Sequence, residues 1–214
     1  MEKFMNGYQK IGEIGLDLFL LNLCWTLFTL LGGVIFGVFP ATTALYACIR
    51  HKEMYGGYKE RLYKLFWKYY KQEFIKANKL GLILYLTMLV LYIDFRLLGI
   101  FNMGVMGTVA VTILTLLTVL FILLLMHLFP IYVQFEDSIF NYIKRSFILM
   151  VGKPKDTIVA AILAAIIVIV YYNLPGLIPV FGLSIFAYIS FRVVLVDIFK
   201  LKKVGAEHLT ESQN

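Results

Sequence analysis

Charge is scarce in this sequence. Of 214 residues, 15% are Asp, Glu, Lys or Arg, where a soluble domain carries about 25%. Apolar types fill the space: 61% of the chain is hydrophobic and 16% aromatic, with a mean hydropathy of +0.83. A water-soluble core of this size could not bury so much apolar surface, so lipid is the solvent the composition calls for. Cysteine is rare too. Cys24 and Cys48 each sit in an apolar run, which excludes a disulfide framework and a thiolate metal site. The three histidines, His51, His127 and His208, are scattered. There is no H-E-x-x-H, no phosphate-binding G-x-x-x-x-G-K-[ST] and no G-x-S-x-G. The paired carboxylates Glu136 and Asp137 stand at the rim of an apolar run. With so little acid, base, nucleophile or ligand chemistry, no catalytic residue, metal site or cofactor is expected, and an enzyme is disfavoured. No cleavable signal peptide is expected: the first apolar run is long and lacks a small-residue cleavage site after it.

What the chain does have is long apolar runs separated by basic connections. Runs over residues 14–31, 34–49, 80–95, 105–129, 157–172 and 177–199 predict an all-α integral membrane protein. The expected architecture is one domain, residues 1–200, of about six transmembrane helices with two cytoplasmic amphipathic helices. A polar tail over 201–214 follows. Run 34–49 is broken at Pro40, whose ring lacks a donor and disfavours helix before it, so a kink or a fresh helix start belongs there. That segment is either a second span or a re-entrant hairpin. The fourth run is expected to stop at Pro130.

The net charge of +7 sits in the connections. Anionic lipid headgroups are therefore the expected counterpart, and nucleic acid is not. Residues 1–13 carry two Lys or Arg, residues 50–79 nine, residues 131–156 four, and the end from Arg192 four. The other connections carry almost none. The positive-inside rule then places both termini and both amphipathic segments in the cytoplasm if 34–49 crosses. Five spans and an external N-terminus follow if it does not.

Residues 59–79 show the strongest amphipathic pattern. Arg61, Lys64, Lys68 and Lys71 recur along one face, with Phe66, Trp67, Tyr70 and Phe74 on the other. A basic face opposite an aromatic face predicts a helix lying in the membrane interface or docking a partner. Residues 135–151 are amphipathic again, with Glu136, Asp137, Lys144 and Arg145 among Phe135, Ile139, Phe140, Ile143 and Phe147. Polar residues inside the runs are few. Asp17 lies one turn inside the first run and Asn22 deeper, where an amide suits a helix–helix hydrogen bond. Thr42 and Thr43 can satisfy backbone groups freed at Pro40. Thr108, Thr112, Thr115 and Thr118 fall on one face of the fourth run. Together with Asp17 and Asn22 they form either a polar path or packing contacts.

The stretch FGVFPATTALYACIR (residues 36–50), the F-W-x-x-Y-K-x-x-F step (66–74) and the F-P-x-Y-x-x-F-E-x-S step (129–138) resemble the YesL family of bacterial membrane proteins. The resemblance extends over about residues 10–200. Members of that family are of unknown function and tend to be encoded beside carbohydrate ABC importers and polysaccharide-degrading enzymes in Gram-positive bacteria. It therefore implies a plasma-membrane protein with a role in carbohydrate transport. The leading expectation is a non-enzymatic accessory subunit of a carbohydrate ABC importer, docking on its permease or ATPase through the cytoplasmic helices. The alternatives are a small stand-alone transporter or channel for a sugar or ion, as a monomer or homo-oligomer, and a sensor of anionic lipid.

Overall fold

The computed structural model describes residues 2–58, 60–100 and 104–211, with side chains over 12–58, 60–99 and 104–195. Among these residues the chain forms seven helices: α1 (Glu2–Leu31), α2 (Val38–Tyr55), α3 (Leu62–Ile100), α4 (Gly104–Gln134), α5 (Ile139–Gly152), α6 (Pro154–Asn173) and α7 (Leu177–Glu211). No strand occurs among them. Five helical stretches are long and apolar enough to cross a membrane: Gly12–Leu31, Leu62–Gly99, Gly104–Gln134, Pro154–Asn173 and Leu177–Leu195. The chain is a multi-pass membrane protein.

The helix not in that set, α2, is the centre of the fold. It packs against α1, α3, α4 and α7, and ten of its 18 residues are buried. Its sequence is less apolar than the others because protein, not lipid, surrounds it. Pro40 is the third residue of α2, a first-turn position where no intrahelical donor is required, so the break is a fresh start. The turn before it is tight. Gly33 and Val34 take positive φ values of 68° and 65°, and Val34 N–H reaches back to Thr29 O at 2.9 Å. A Cβ on Gly37 would lie 2.2 Å from that same Thr29 oxygen, so only glycine lets α2 leave α1 here. From this turn α2 runs antiparallel to α1. Trp25 Nε1 donates to Thr42 Oγ1 at 3.1 Å, and near the other end Lys52 pairs with Asp17. α2 thus returns the chain to the level where the apolar part of α1 begins.

Four sequence boundaries move. The basic helix and the third span are one rod: α3 has 39 residues, about 58 Å at 1.5 Å per residue. That is nearly twice the ~30 Å of a hydrocarbon core, so the basic half extends the span instead of forming a separate helix. Pro130 lies within α4 and does not end it. The loss of one hydrogen bond near a helix end is offset because the last turn is held laterally, by Tyr132 to Glu73 and by Arg50 to Gln134. The fifth run, expected from residue 157, begins earlier: Pro154 opens α6, with Asp156 in its first turn. α7 continues as helix through Glu211, into the stretch expected to be a loose tail; residues 212–214 lie outside the described residues. Residues 1–13 could form a short interfacial helix led by Phe4, Met5 and Tyr8 on their sequence, but the side chains of these three lie outside the described residues.

Candidate functional site

The basic and aromatic residues of α3 separate into two groups. Phe66 is fully buried and Tyr70 nearly so. Phe28 of α1 stacks between them, with ring centroids 5.1 Å from Phe66 and 5.3 Å from Tyr70. These two rings belong to the core and offer no surface to a partner. Phe74 is half-buried beside Tyr70. Trp67 is 39% exposed, and the Lys71 ammonium lies 5.0 Å over its ring. Arg61, Lys64 and Lys68 are exposed alongside. The outward strip is therefore Arg61, Lys64, Trp67, Lys68 and Lys71, with Trp67 beside the lysines and not opposite them.

The polar residues of the spans are not brought together. Asp17 pairs with Lys52 at one end of α2, next to Arg192–Glu53 at 3.0 Å. Thr42 and Thr43 bond to Val38 O and Pro40 O within α2. Thr108, Thr112 and Thr115 are exposed on α4, each donating to the carbonyl four residues back. Hydroxyls satisfied in that way face the surroundings of the bundle and line no common interior path. Asn22 is 2% exposed and belongs to a break in α7. Gly182 leaves helical geometry, with φ 16° and ψ −110°. In an unbroken helix Ile178 O and Pro179 O would accept from the N–H groups four residues on, at Gly182 and Leu183. Asn22 replaces both sides of the lost ladder: its Nδ2 donates to Pro179 O at 2.9 Å and to Ile178 O at 3.4 Å, and its Oδ1 accepts from Leu183 N–H at 3.1 Å.

A cavity of about 320 Å³ lies between α2, α3, α4 and the connection before α5. Its polar lining comes from Thr43 and Arg50 of α2, Tyr69, Gln72, Glu73 and Lys76 of α3, Tyr132 of α4, Glu136 in the connection and Tyr142 of α5. Tyr132 O–H donates to Glu73 Oε2 at 2.7 Å. Lys76 Nζ donates to Tyr142 Oη at 2.8 Å and sits over the Tyr132 and Tyr142 rings. Tyr142 is a hub: its hydroxyl donates to Phe135 O and accepts from Asp137 N–H, which fastens the connection to α3. Arg50 Nε donates to Gln134 Oε1 at 3.1 Å, while Gln134 Nε2 is buried with no partner. Of the lining groups the sequence names Thr43, as a partner for backbone freed at Pro40, and Glu136, as one of a pair of carboxylates at the rim; it names neither as part of a site, and it does not single out Arg50, Tyr69, Gln72, Glu73, Lys76, Tyr132 or Tyr142. The signal was present in the F-P-x-Y-x-x-F-E step, which carries Tyr132 and Glu136, and in Gln72, Glu73 and Lys76, which interrupt the aromatic pattern of α3.

α5 presents a different surface. Ser138 caps it, accepting from Asn141 N–H. Asp137 next to the cap is held below the usual carboxylate range, first by the Asn141 side-chain amide, then by Ser138 N–H and by Arg145. The buried side of α5 is narrow: Tyr142, Ser146 and Met150. Its outer side leaves Phe140 (75%), Phe147 (53%), Ile148 (56%) and Val151 (60%) exposed, with Lys144 and Arg145 exposed beside them. No group of three or more His, Cys, Asp or Glu that could hold a metal ion occurs among the described residues.

A family model described as "Protein of unknown function, DUF624" matches residues 18–95. The chain is 33% identical over 186 residues to the uncharacterized protein YteU of Bacillus subtilis (strain 168), covering 87% of this chain and 82% of YteU. It is 36% identical over 188 residues to the uncharacterized protein YesV of the same strain, covering 88% of each. To the uncharacterized protein YesL it is 28% identical over 156 residues, covering 73% of this chain and 72% of YesL. No solved structure matches it. The matched residues 18–95 contain α2 whole, most of α3 and the second half of α1, so the fold centre and the family signal coincide: this chain belongs to the DUF624 family of YesL-like membrane proteins.

Proposed function

We propose that this protein is a non-enzymatic accessory subunit of a carbohydrate ABC importer, seated beside the permease in the plasma membrane. The observation that carries this reading is the outer face of α5. Four large apolar side chains line a helix of 14 residues, too short to cross a bilayer, and Lys144 and Arg145 flank them. Exposed aromatic and arginine side chains of this kind are the types enriched at interface hot spots. An apolar face of this size on a helix that is not a span requires a cover. The exposed Trp67, Lys68 and Lys71 strip of α3 supplies a second, basic contact. The partner's identity comes from the family resemblance. The stand-alone transporter reading loses support because Asp17, Asn22, Thr42, Thr43 and the threonines of α4 are each satisfied locally and lie apart.

In this reading the bundle crosses the membrane six times with both termini in the cytoplasm. Two observations support that: α2 returns the chain from Gly37 beside Thr29 to Lys52 beside Asp17, and alternate connections hold nineteen of the twenty basic residues. Co-purification in mild detergent tests the docking. The paired substitution Phe140→Asp with Phe147→Asp should reduce the permease recovered at least tenfold while membrane insertion is kept. Trp67→Ala with Lys68→Glu should reduce it less. Unchanged recovery in both variants would sink the docking reading.

A further inference from the structure

We propose that the cavity between α2, α3, α4 and the 135–142 segment is a binding site for an uncharged, hydroxyl-rich small molecule of mono- or disaccharide size. The argument starts from the balance of its lining. Arg50 and Lys76 bring two positive charges, Glu73 and Glu136 two negative ones. An anion placed there would meet both carboxylates, and a cation would meet the guanidinium and the ammonium. An apolar ligand would strip water from four charged groups without replacing their hydrogen bonds. A hydroxyl donates and accepts at once, so a molecule carrying several can serve donors and acceptors of both signs.

Hydrogen-bonding capacity is left over for such a molecule. Among the described residues the Arg50 guanidinium makes one hydrogen bond, through Nε, which leaves its terminal N–H groups without a protein acceptor. Glu73 uses Oε2 for Tyr132 and keeps Oε1. Buried polar atoms in a finished core are almost always paired. The spare capacity of Arg50 and Glu73, both on the wall of one cavity, is what a ligand or its water would complete. Val133 and Phe135 add apolar wall, suited to the C–H faces of a sugar ring. The volume is at the lower end of the roughly 300–1,000 Å³ typical of small-ligand sites.

The lining is also held in place before any ligand arrives. Tyr132 to Glu73, Lys76 to Tyr142 and Tyr142 to Phe135 O tie three helices and the connection together. Groups fixed in this way bind with less ordering cost. The inference stands on the cavity alone and does not depend on the α5 docking face.

The test uses the purified full chain in nanodiscs, without any partner. Thermal stabilisation and equilibrium binding are measured with glucose, galactose, rhamnose, maltose and cellobiose, and with glutamine, galacturonate and glucose 6-phosphate as charged controls. At least one neutral sugar should bind and stabilise. Glu73→Gln and Gln72→Ala should each weaken that binding tenfold or more, the second from the exposed rim where folding is not at stake. Phe147→Asp on α5 should leave it unchanged. The proposal is overturned if no neutral sugar binds, if glutamine or an anion binds in preference, or if Gln72→Ala and Glu73→Gln both bind as the parent does.

Discussion

Asn22 replaces the lost rungs on both sides of the break in α7, and no other residue type of its size could do so. Aspartate would offer Leu183 N–H an acceptor but give Pro179 O and Ile178 O no donor; alanine would satisfy none of the three. Leaving buried backbone groups unpaired costs about 1–3 kcal/mol each. Asn22→Ala and Asn22→Asp should both lower the thermal midpoint of the detergent-solubilised protein, and alanine should not be the milder of the two by more than a few degrees. An unchanged midpoint in both would mean that the break is held by packing alone. The residue's depth in the first run made an interhelical hydrogen bond legible in the sequence. Its partner was not, because nothing in residues 177–183 except Pro179 and Gly182 announces that the helix is broken there.

The same limit separates Phe66 from Trp67. Both are aromatic residues on a basic helix, and helical periodicity puts them within one turn of each other. What buries Phe66 is Phe28, thirty-eight positions earlier in the chain, and a contact across that distance leaves no trace in local pattern.

At the scale of elements, α2 sets the organisation. Its fresh start at Pro40 could be read from the absence of a donor and the glycines just before it. Its burial could not, since a helix enclosed by protein and a re-entrant segment share the same modest hydropathy. Basic residues hid the length of α3 for a similar reason: the local pattern changes character near Lys79 while the backbone continues straight through. The crossing of α2 can be tested by labelling. Single cysteines at Val34 and Tyr55, in a chain where Cys24 and Cys48 are serine, should react with a membrane-impermeant maleimide from opposite sides. Val34→Cys should label in intact cells and Tyr55→Cys in inverted vesicles. Reaction of both from one side would establish a re-entrant segment and five spans.

At the scale of the whole molecule, the apolar perimeter faces lipid, and the polar chemistry gathers where α2, the basic half of α3, the end of α4 and α5 meet. Composition made the membrane class legible, and the charge of the connections carries the sidedness proposed above. The cavity was not legible because its groups come from four helices and a connection, each contributing one to four residues that look ordinary alone. The exposed apolar face of α5 was half legible: amphipathicity showed in the sequence, but the fold had to show that the apolar side points outward while Tyr142, Ser146 and Met150 point in. The most direct measurement is photo-crosslinking in native membranes from a benzophenone amino acid at Phe147. The docking account predicts one dominant adduct, to an ABC permease, that disappears when Phe140 is changed to aspartate. Adducts confined to lipid or to a second copy of this chain would contradict it.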